Sequence, residues 1–449
     1  MMSAWAKIFA LLLLSAMLSA CVSIIPEGDS SGKGGVSTAE EMNNDITSAI
    51  YSQGLPRVYI TADAPIKRDT YTKGKVRITN SEPLFGTEGD FESDMEIRGR
   101  GNSSWNMFDK KPYKLKLSEQ ARLFNLAKDR QWCLIPNYSD KTLLRNTLAM
   151  EVSSIVEFDW TPGVVHTEVY LNEEYCGVYD LIENRKVGKE RVEIDLVDPE
   201  SRELPDIEGD YYLELAEENI SSPYGWWTSI YKLPVVFKDP EQPNEEQRNY
   251  VKNYFAEMEK TLSEEDFSKQ GRRRYASYID VDSFIRYFIV EEVAKDWDGD
   301  MRRSVFLTKE KGKGIKIYHV WDFDIAFGNC FDKDLGDPLS PEGWYIKTYC
   351  HKTGGEGTGI MKRLFDDPVF CQRAREMWDE AYPQLKKLPE FLDRHASVLG
   401  KSIERNFWKW DIMGKKVWPN AVVYDTYEEE LAYLKDYVSK RVEWINENL

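Results

Sequence analysis

Residues 295–331 read KDWDGDMRRSVFLTKEKGKGIKIYHVWDFDIAFGNCF, an acidic loop, a strand, a Gly/Lys turn, a second strand and another acidic loop. SVFLT (304–308) is β-branched and aromatic, KEKGKG (309–314) has turn chemistry, and IKIYHVW (315–321) alternates apolar and polar residues. An antiparallel hairpin returns its second strand beside the start of its first. Asp296, Asp298 and Asp300 are therefore expected near Asp322 and Asp324. Carboxylates gathered at one end of a hairpin repel each other unless a cation or a proton joins them. The pattern predicts a metal-dependent phosphoryl-transfer site.

The spacing matters more than either acid alone. A protein-kinase core places one Asp on a catalytic loop, then a short hairpin, then a metal-binding Asp. The first orients or deprotonates a hydroxyl; the second holds Mg²⁺ against the phosphates. Asp296-Trp-Asp298-Gly-Asp300 imitates the start of a calcium loop, but Met301 replaces the turn glycine and Leu307 the bidentate Glu, so that reading fails. IKIYHVWDFDIA also imitates the strand and DxD entry of aspartyl-phosphate phosphatases, with Ala326 where Thr or Val is usual. A solvated acidic loop is the remaining alternative. Trp297, Trp321, Phe323 and Phe327 weigh against it, because they would hold the acids on apolar surface.

A chain of 449 residues can bury a sizeable core, and 42% hydrophobic with 30% charged residues is ordinary for a folded protein. The net charge of −18 excludes nucleic acid as the main partner, since phosphate backbones need a basic face. Aromatic residues reach 13%, serving a large core or, as an alternative, a glycan-stacking face that includes Trp226, Trp227 and Trp344. At the N-terminus Lys7 precedes the apolar run IFALLLLSAML, and LSAC ends at Cys21. This resembles a lipoprotein signal peptide over residues 1–20 with Cys21 as the lipidated residue. The run is shorter than the roughly 20 apolar residues of a span. The expected location is the bacterial cell envelope, lipid-anchored at a membrane. Residues 21–50 are Gly/Ser-rich and predict a flexible tether. Cys133, Cys176, Cys330, Cys350 and Cys371 form no disulfide framework and no zinc motif, although Cys330 with Cys350 would close a modest loop.

Residues 51–449 are expected to form the folded domain, β-rich over about 51–240 and mainly helical over about 241–449. LPRVYITAD, KVRITN, FESDMEIRGRGN and KPYKLKL read as strands. RGRGNSSWNMFDKKPYKLKL (98–117) combines glycines, hydroxyls and cations, as a phosphate-facing loop would, without a Walker pattern. Residues 125–156 read as helical, with Asp140 as N-cap, and VVHTEVYLNEEYCGVYDLIENRK (164–186) as a hairpin ending at Glu183, an exposed or surface-paired acid. EEQRNYVKNYFAEMEKTL, DVDSFIRYFIVEEVAK and the segments after Ile360 are amphipathic helices. The fold class is α+β, a mainly antiparallel sheet followed by helices.

MEIRGRGNSSW with KKPYKLKL, then LIPNYSDKTLLRN, GVYDLIEN, YYLELAEE, KDWDGDMRRSVFL and VWDFDIAFGN, in that order, resemble the CotH (spore-coat protein H) kinase family. The resemblance spans about Val58 to Trp410 and implies an atypical protein-kinase-like fold using ATP, Mg²⁺ and a protein phosphoacceptor. It implies Asp298 as the catalytic Asp, Asp322 as metal ligand and Asp324 as a second ligand. It further implies that Arg98, Arg100, Lys111 and Lys114 face the phosphates, with Glu183 partnering one of these cations. The family often carries Asn a few residues after the first Asp. Here MRRSV puts Ser304 near that place, which leaves a second metal and full activity open. The alternative is a catalytically weak or inactive lipoprotein that binds glycan or protein partners on this scaffold.

Overall fold

The computed structural model describes residues 54–79, 90–124, 126–269, 271, 273–299, 301–330, 340–347 and 359–449. Cys21, the signal and tether segments, Asp300 and Cys350 lie outside them. The described residues fall in one compact unit, Ile50–Leu449.

Seven strands close a barrel in the order β1-β2-β3-β4-β5-β7-β6. They are β1 (Arg57–Ala62), β2 (Thr72–Thr79), β3 (Phe91–Gly99), β4 (Tyr113–Ala121), β5 (Asp129–Ile135), β6 (Val164–Leu171) and β7 (Glu174–Glu183). Alternation along each strand turns Val58, Val76, Ile97, Leu115, Leu134 and Leu181 into one core. Closure comes from β1, which pairs antiparallel with β2 and parallel with β6, Val58 opposite Val169. The pairing is mainly antiparallel, as the sequence predicts, and the closure into a barrel through the parallel β1–β6 pair is what the sequence does not predict. Pairing of the two outer strands, β1 and β6, removes both free edges.

A second sheet runs β12-β11-β8-β10-β9, every neighbour antiparallel. It contains β8 (Tyr211–Leu215), β9 (Gly225–Trp227), β10 (Pro234–Asp239), β11 (Val305–Lys309) and β12 (Ile315–His319). The acidic hairpin is therefore β11–β12, with Gly312 at φ 70° in its turn. Its first strand docks on β8, Phe306 opposite Glu214.

Residues 125–156 split where helical periodicity predicts one element. DRQWCLI becomes β5, between β4 and β7, and the helix α2 starts only at Arg145 (Arg145–Ile155). A short apolar run fits a buried strand or a buried helix equally, and here partner strands decide. Asp140 still satisfies the helix start from a distance, its Oδ2 accepting the Arg145 N–H at 2.8 Å. The short α1 (Ser103–Met107) precedes β4. The remaining helices follow the sequence pattern: α3 (Glu245–Glu264), α4 (Val281–Ala294), α5 (Ile360–Leu364), α6 (Pro368–Leu385), α7 (Leu388–Leu399), α8 (Ser402–Lys409) and α9 (Tyr427–Asn448). Capping boxes at Asn244 and Thr426 fix the starts of α3 and α9.

Two buried cations hold the helices in place, Lys110 against the barrel and Arg441 against α4. Lys110 Nζ donates to Pro136 O (2.7 Å), Val178 O (2.5 Å) and Asn406 Oδ1 (2.9 Å), tying α8 to the barrel. Gly177, at φ 100°, keeps that seam tight, since a Cβ there would stand 2.6 Å from Asn406 Oδ1. Arg441 of α9 donates to Glu292 O (2.6 Å), Glu292 Oε2 (2.5 Å) and the carbonyls of Pro341 and Gly343. Glu292 in turn accepts from Tyr345 N and Lys347 N. Removing one partner of such a pair strands the other charge, so Arg441→Ala is expected to cost about 3–5 kcal/mol in urea unfolding. Combining it with Glu292→Gln should recover part of that loss.

Candidate active site

Helix α4 begins at Asp280, whose side chain accepts the Ser283 N–H at 2.9 Å. It ends at Lys295, left-handed at φ 47°, whose N–H returns to Glu291 O at 2.6 Å. The chain enters the first acidic loop there. Tyr287 and Tyr345 hydroxyls hold that loop, donating to Gly299 O (2.9 Å) and Trp297 O (2.8 Å).

The second acidic loop is fastened to the same helix end. Phe327 N–H donates to Ala294 O at 2.7 Å, so the backbone after Asp324 touches the backbone before Asp296. Asp322 sits at φ 75°, a conformation that costs an L-residue about 1–3 kcal/mol and that Asp tolerates better than most. Helix α2 holds the loop in that shape. Asn146 Oδ1 accepts the Phe323 N–H at 2.8 Å, and Arg145 Nε donates to Ala326 O at 3.1 Å. Asn329 Nδ2 donates to Asp324 O (2.7 Å) and to Ser139 O (3.1 Å). Ser139 and Asn146 belong to the LIPNYSDKTLLRN stretch, which thus buttresses the acidic loop. Nothing local in those residues signals this role.

The four described acids occupy graded surroundings. Asp296 is buried at 2% exposure, and its Oδ1 has no hydrogen-bond partner among the described residues. Burial pushes its carboxyl well above the usual range, and Asp298, Asp322 and Asp324 add to the shift. Asp298 is half-buried and also raised by burial, with Arg303 opposing the shift and Asp322 and Glu217 adding to it. Arg303 Nη1 donates to Asp298 Oδ1 at 2.8 Å. Asp324, half-buried, accepts from Ser139 Oγ at 3.3 Å, and burial followed by Asp322 lifts it to about 7. Asp322 is exposed. The hairpin therefore brings the two loops together as the spacing predicts, with one acid open to solvent.

Arg100 lies beside the second acidic loop together with Arg185, to which the sequence gives no pointer. Lys114 and Arg98 neighbour those two, Arg98 lying over Tyr71 and donating to the Arg68 carbonyl. Burial brings the Lys114 ammonium down to about 8, against a pull from Cys133 and with Arg98, Arg185 and Arg100 lowering it further. Arg100 and Arg185 both lie over the Trp321 ring, 5.6 and 4.9 Å from its centroid, one residue before Asp322. Lys111 turns elsewhere, donating to Trp105 O at 2.8 Å. Glu183 is buried, not exposed or surface-paired. It accepts from Ala127 N, from Gly163 N at 3.0 Å and from Trp160 Nε1 at 3.2 Å. Among the described residues it pairs with none of Arg98, Arg100, Lys111 or Lys114. Of the three tryptophans considered for glycan stacking, Trp226 packs on Phe237 and Phe255 and Trp344 on Trp444, while Trp227 is 40% exposed.

The sequence matches the family model described as CotH kinase protein over residues 97–445, most of the chain. The chain belongs to the CotH kinase family. Membership gives it a kinase-like function, and with it ATP, a divalent metal and a protein substrate in general terms. A search of curated proteins found no match.

The donor set fits a nucleotide-bound cation better than a bare one. Among the described residues no three acidic, His or Cys side chains could hold an ion alone. Mg²⁺ bound with phosphates needs only one or two protein carboxylates and keeps several waters. The donorless Asp296 Oδ1 and the two guanidinium groups over Trp321 suit opposite ends of such a ligand. Two cavities of about 460 Å³ each lie elsewhere, one beside Arg274 and Tyr278 and the other along β2, β3 and β4.

An acid whose folded pKa lies above its unfolded value binds protons on folding, so the fold weakens as pH rises from about 4 to the Asp324 value of about 7. Without divalent cations, the parent is expected to lose melting temperature between pH 5 and 8 relative to Asp324→Asn. Parallel melting curves for the two proteins would show no Asp324 contribution.

Proposed function

We propose that this chain is a Mg²⁺- and ATP-dependent protein kinase that transfers the γ-phosphoryl group to a Ser or Thr hydroxyl of an envelope protein. We further read it as anchored to a membrane through a lipidated Cys21. The observation that carries the kinase reading is the juncture of the two acidic loops at Ala294 and Phe327, with a basic group stacked on Trp321 next to it. In this reading the sheet-rich N-terminal part and the helical part beyond it correspond to the two lobes of a kinase, the barrel being a departure.

Asp298 receives the hydroxyl proton as the hydroxyl oxygen bonds to the γ-phosphorus and the bond to ADP breaks. A carboxylate made more basic by burial suits that task, and the Arg303 contact fixes its orientation. Asp322 and Asp324 hold the cation, with Asn146 and Asn329 setting their loop. Arg98, Arg100, Lys114 and Arg185 bind phosphate oxygens, and the Trp321 ring keeps two of them in place. A bound divalent cation would supply charge neutralisation at the transferred group.

ATP with Mg²⁺ at about 100 times its Kd should stabilise the parent by about 2.7 kcal/mol, read as a melting shift. The shift should vanish in Asp322→Ala; a parent that does not respond to millimolar ATP contradicts the reading. Asp298→Ala should retain that shift while phosphate incorporation, followed by intact mass, falls by about 10²–10⁴. Unchanged incorporation would remove Asp298 from its role.

A further inference from the structure

The turn that follows Asp298 carries two arginines immediately before Ser304, the residue near the place where a protein kinase carries a metal-binding Asn. Both are built into the fold. Arg302 is buried at 7% exposure, its Nη2 2.8 Å from Glu217 Oε1 and its guanidinium 5.5 Å from the Trp227 centroid. Glu217 N–H donates to Arg302 O at 3.0 Å, which pins the turn to the end of β8. Met301 (φ 63°) and Ser304 (φ 53°) bracket the pair in left-handed conformations, fixing the direction in which it leaves the turn. Arg303 then reaches Asp298 Oδ1 at 2.8 Å and Glu217 Oε2 at 3.5 Å.

Charge is therefore distributed unevenly across the site. On the Asp298 side a guanidinium already contacts the carboxylate, and a second carboxylate holds that guanidinium. On the other side, no Lys or Arg among the described residues forms an ion pair with Asp296, Asp322 or Asp324. A divalent ion and a guanidinium cannot both occupy the space in front of one Asp298 oxygen, because like charges at contact distance repel strongly in a half-buried site. Arg303 has five donors and no acceptor, stays protonated, and needs no dehydration of a hard ion to supply its charge.

We propose that Arg303 stands in for a second divalent cation, so that the site takes up one ion per bound nucleotide, on the Asp322 and Asp324 side. Arg303 is a positioning residue: it fixes Asp298 and supplies charge there, and it does not exchange a proton with the substrate. This rests on the nucleotide reading above. It turns the missing Asn from a defect into an exchange of one kind of cation for another.

The test is a Mn²⁺ titration of the full chain with a non-hydrolysable ATP analogue, free Mn²⁺ being read by its paramagnetic resonance signal. The parent should take up one ion per nucleotide, Arg303→Lys one, and Arg303→Asn two, with Asp322→Ala losing the parent's ion. Two ions in the parent, or one ion in a folded Arg303→Asn, overturn the proposal and leave the nucleotide reading standing. Nucleotide binding with no Mn²⁺ uptake overturns the proposal alone, whereas no nucleotide binding overturns both. Should Arg303→Asn fail to fold, the parent's count decides by itself.

Discussion

The site depends on one backbone contact, the Phe327 N–H to the Ala294 carbonyl, which closes a loop across the β11–β12 hairpin. It works against the mutual repulsion of the two acidic segments, together with the β11–β12 ladder that joins them. The structure answers that repulsion with scaffolding that leaves Asp296, Asp322 and Asp324 without an ion pair among the described residues: backbone groups, two asparagines, a serine, two tyrosine hydroxyls and Arg145, whose own charge is matched by Asp140. Electrostatic crowding is thereby kept for a ligand to relieve. The same logic is reversed on the barrel side, where Arg98, Arg100, Lys114 and Arg185 crowd together and aromatic faces share the load.

How much of this could be read from sequence depends on the range of each interaction. The hairpin was legible because its signals are contiguous: β-branched strand residues, a Gly/Lys turn and flanking acids. The helices after Ile360 were legible from periodicity, except that Gly400 at φ 45° divides residues 388–410 into two. Barrel closure was not legible. The pairing of β1 with β6 joins residues more than a hundred positions apart, and neither strand carries a mark of its partner. β5 was misread for a related reason, since one of its two flanking strands, β7, lies about fifty residues further along the chain, Trp132 opposite Glu183 and Leu134 opposite Leu181.

Among site residues, the aspartates announced themselves through spacing, and the basic segment through composition. Arg185 did not, because it follows a strand whose end was read for Glu183 instead. Glu183 itself, a solitary acid in the sequence, proved to be a buried acceptor for two backbone N–H groups and an indole. Asn146 and Ser139 were hidden for a different reason: an amide or hydroxyl supporting a loop 177 or 185 residues away leaves no local pattern.

Lys110 has a mechanical consequence. Its ammonium is fully desolvated, and burial lowers it to about 7 while three oxygens from β7, the β5 exit and α8 surround it. Swinging the barrel away from α8 as a rigid body would strip those acceptors from a charge with no water to replace them. Domain opening of the hinge kind is thereby discouraged at this seam.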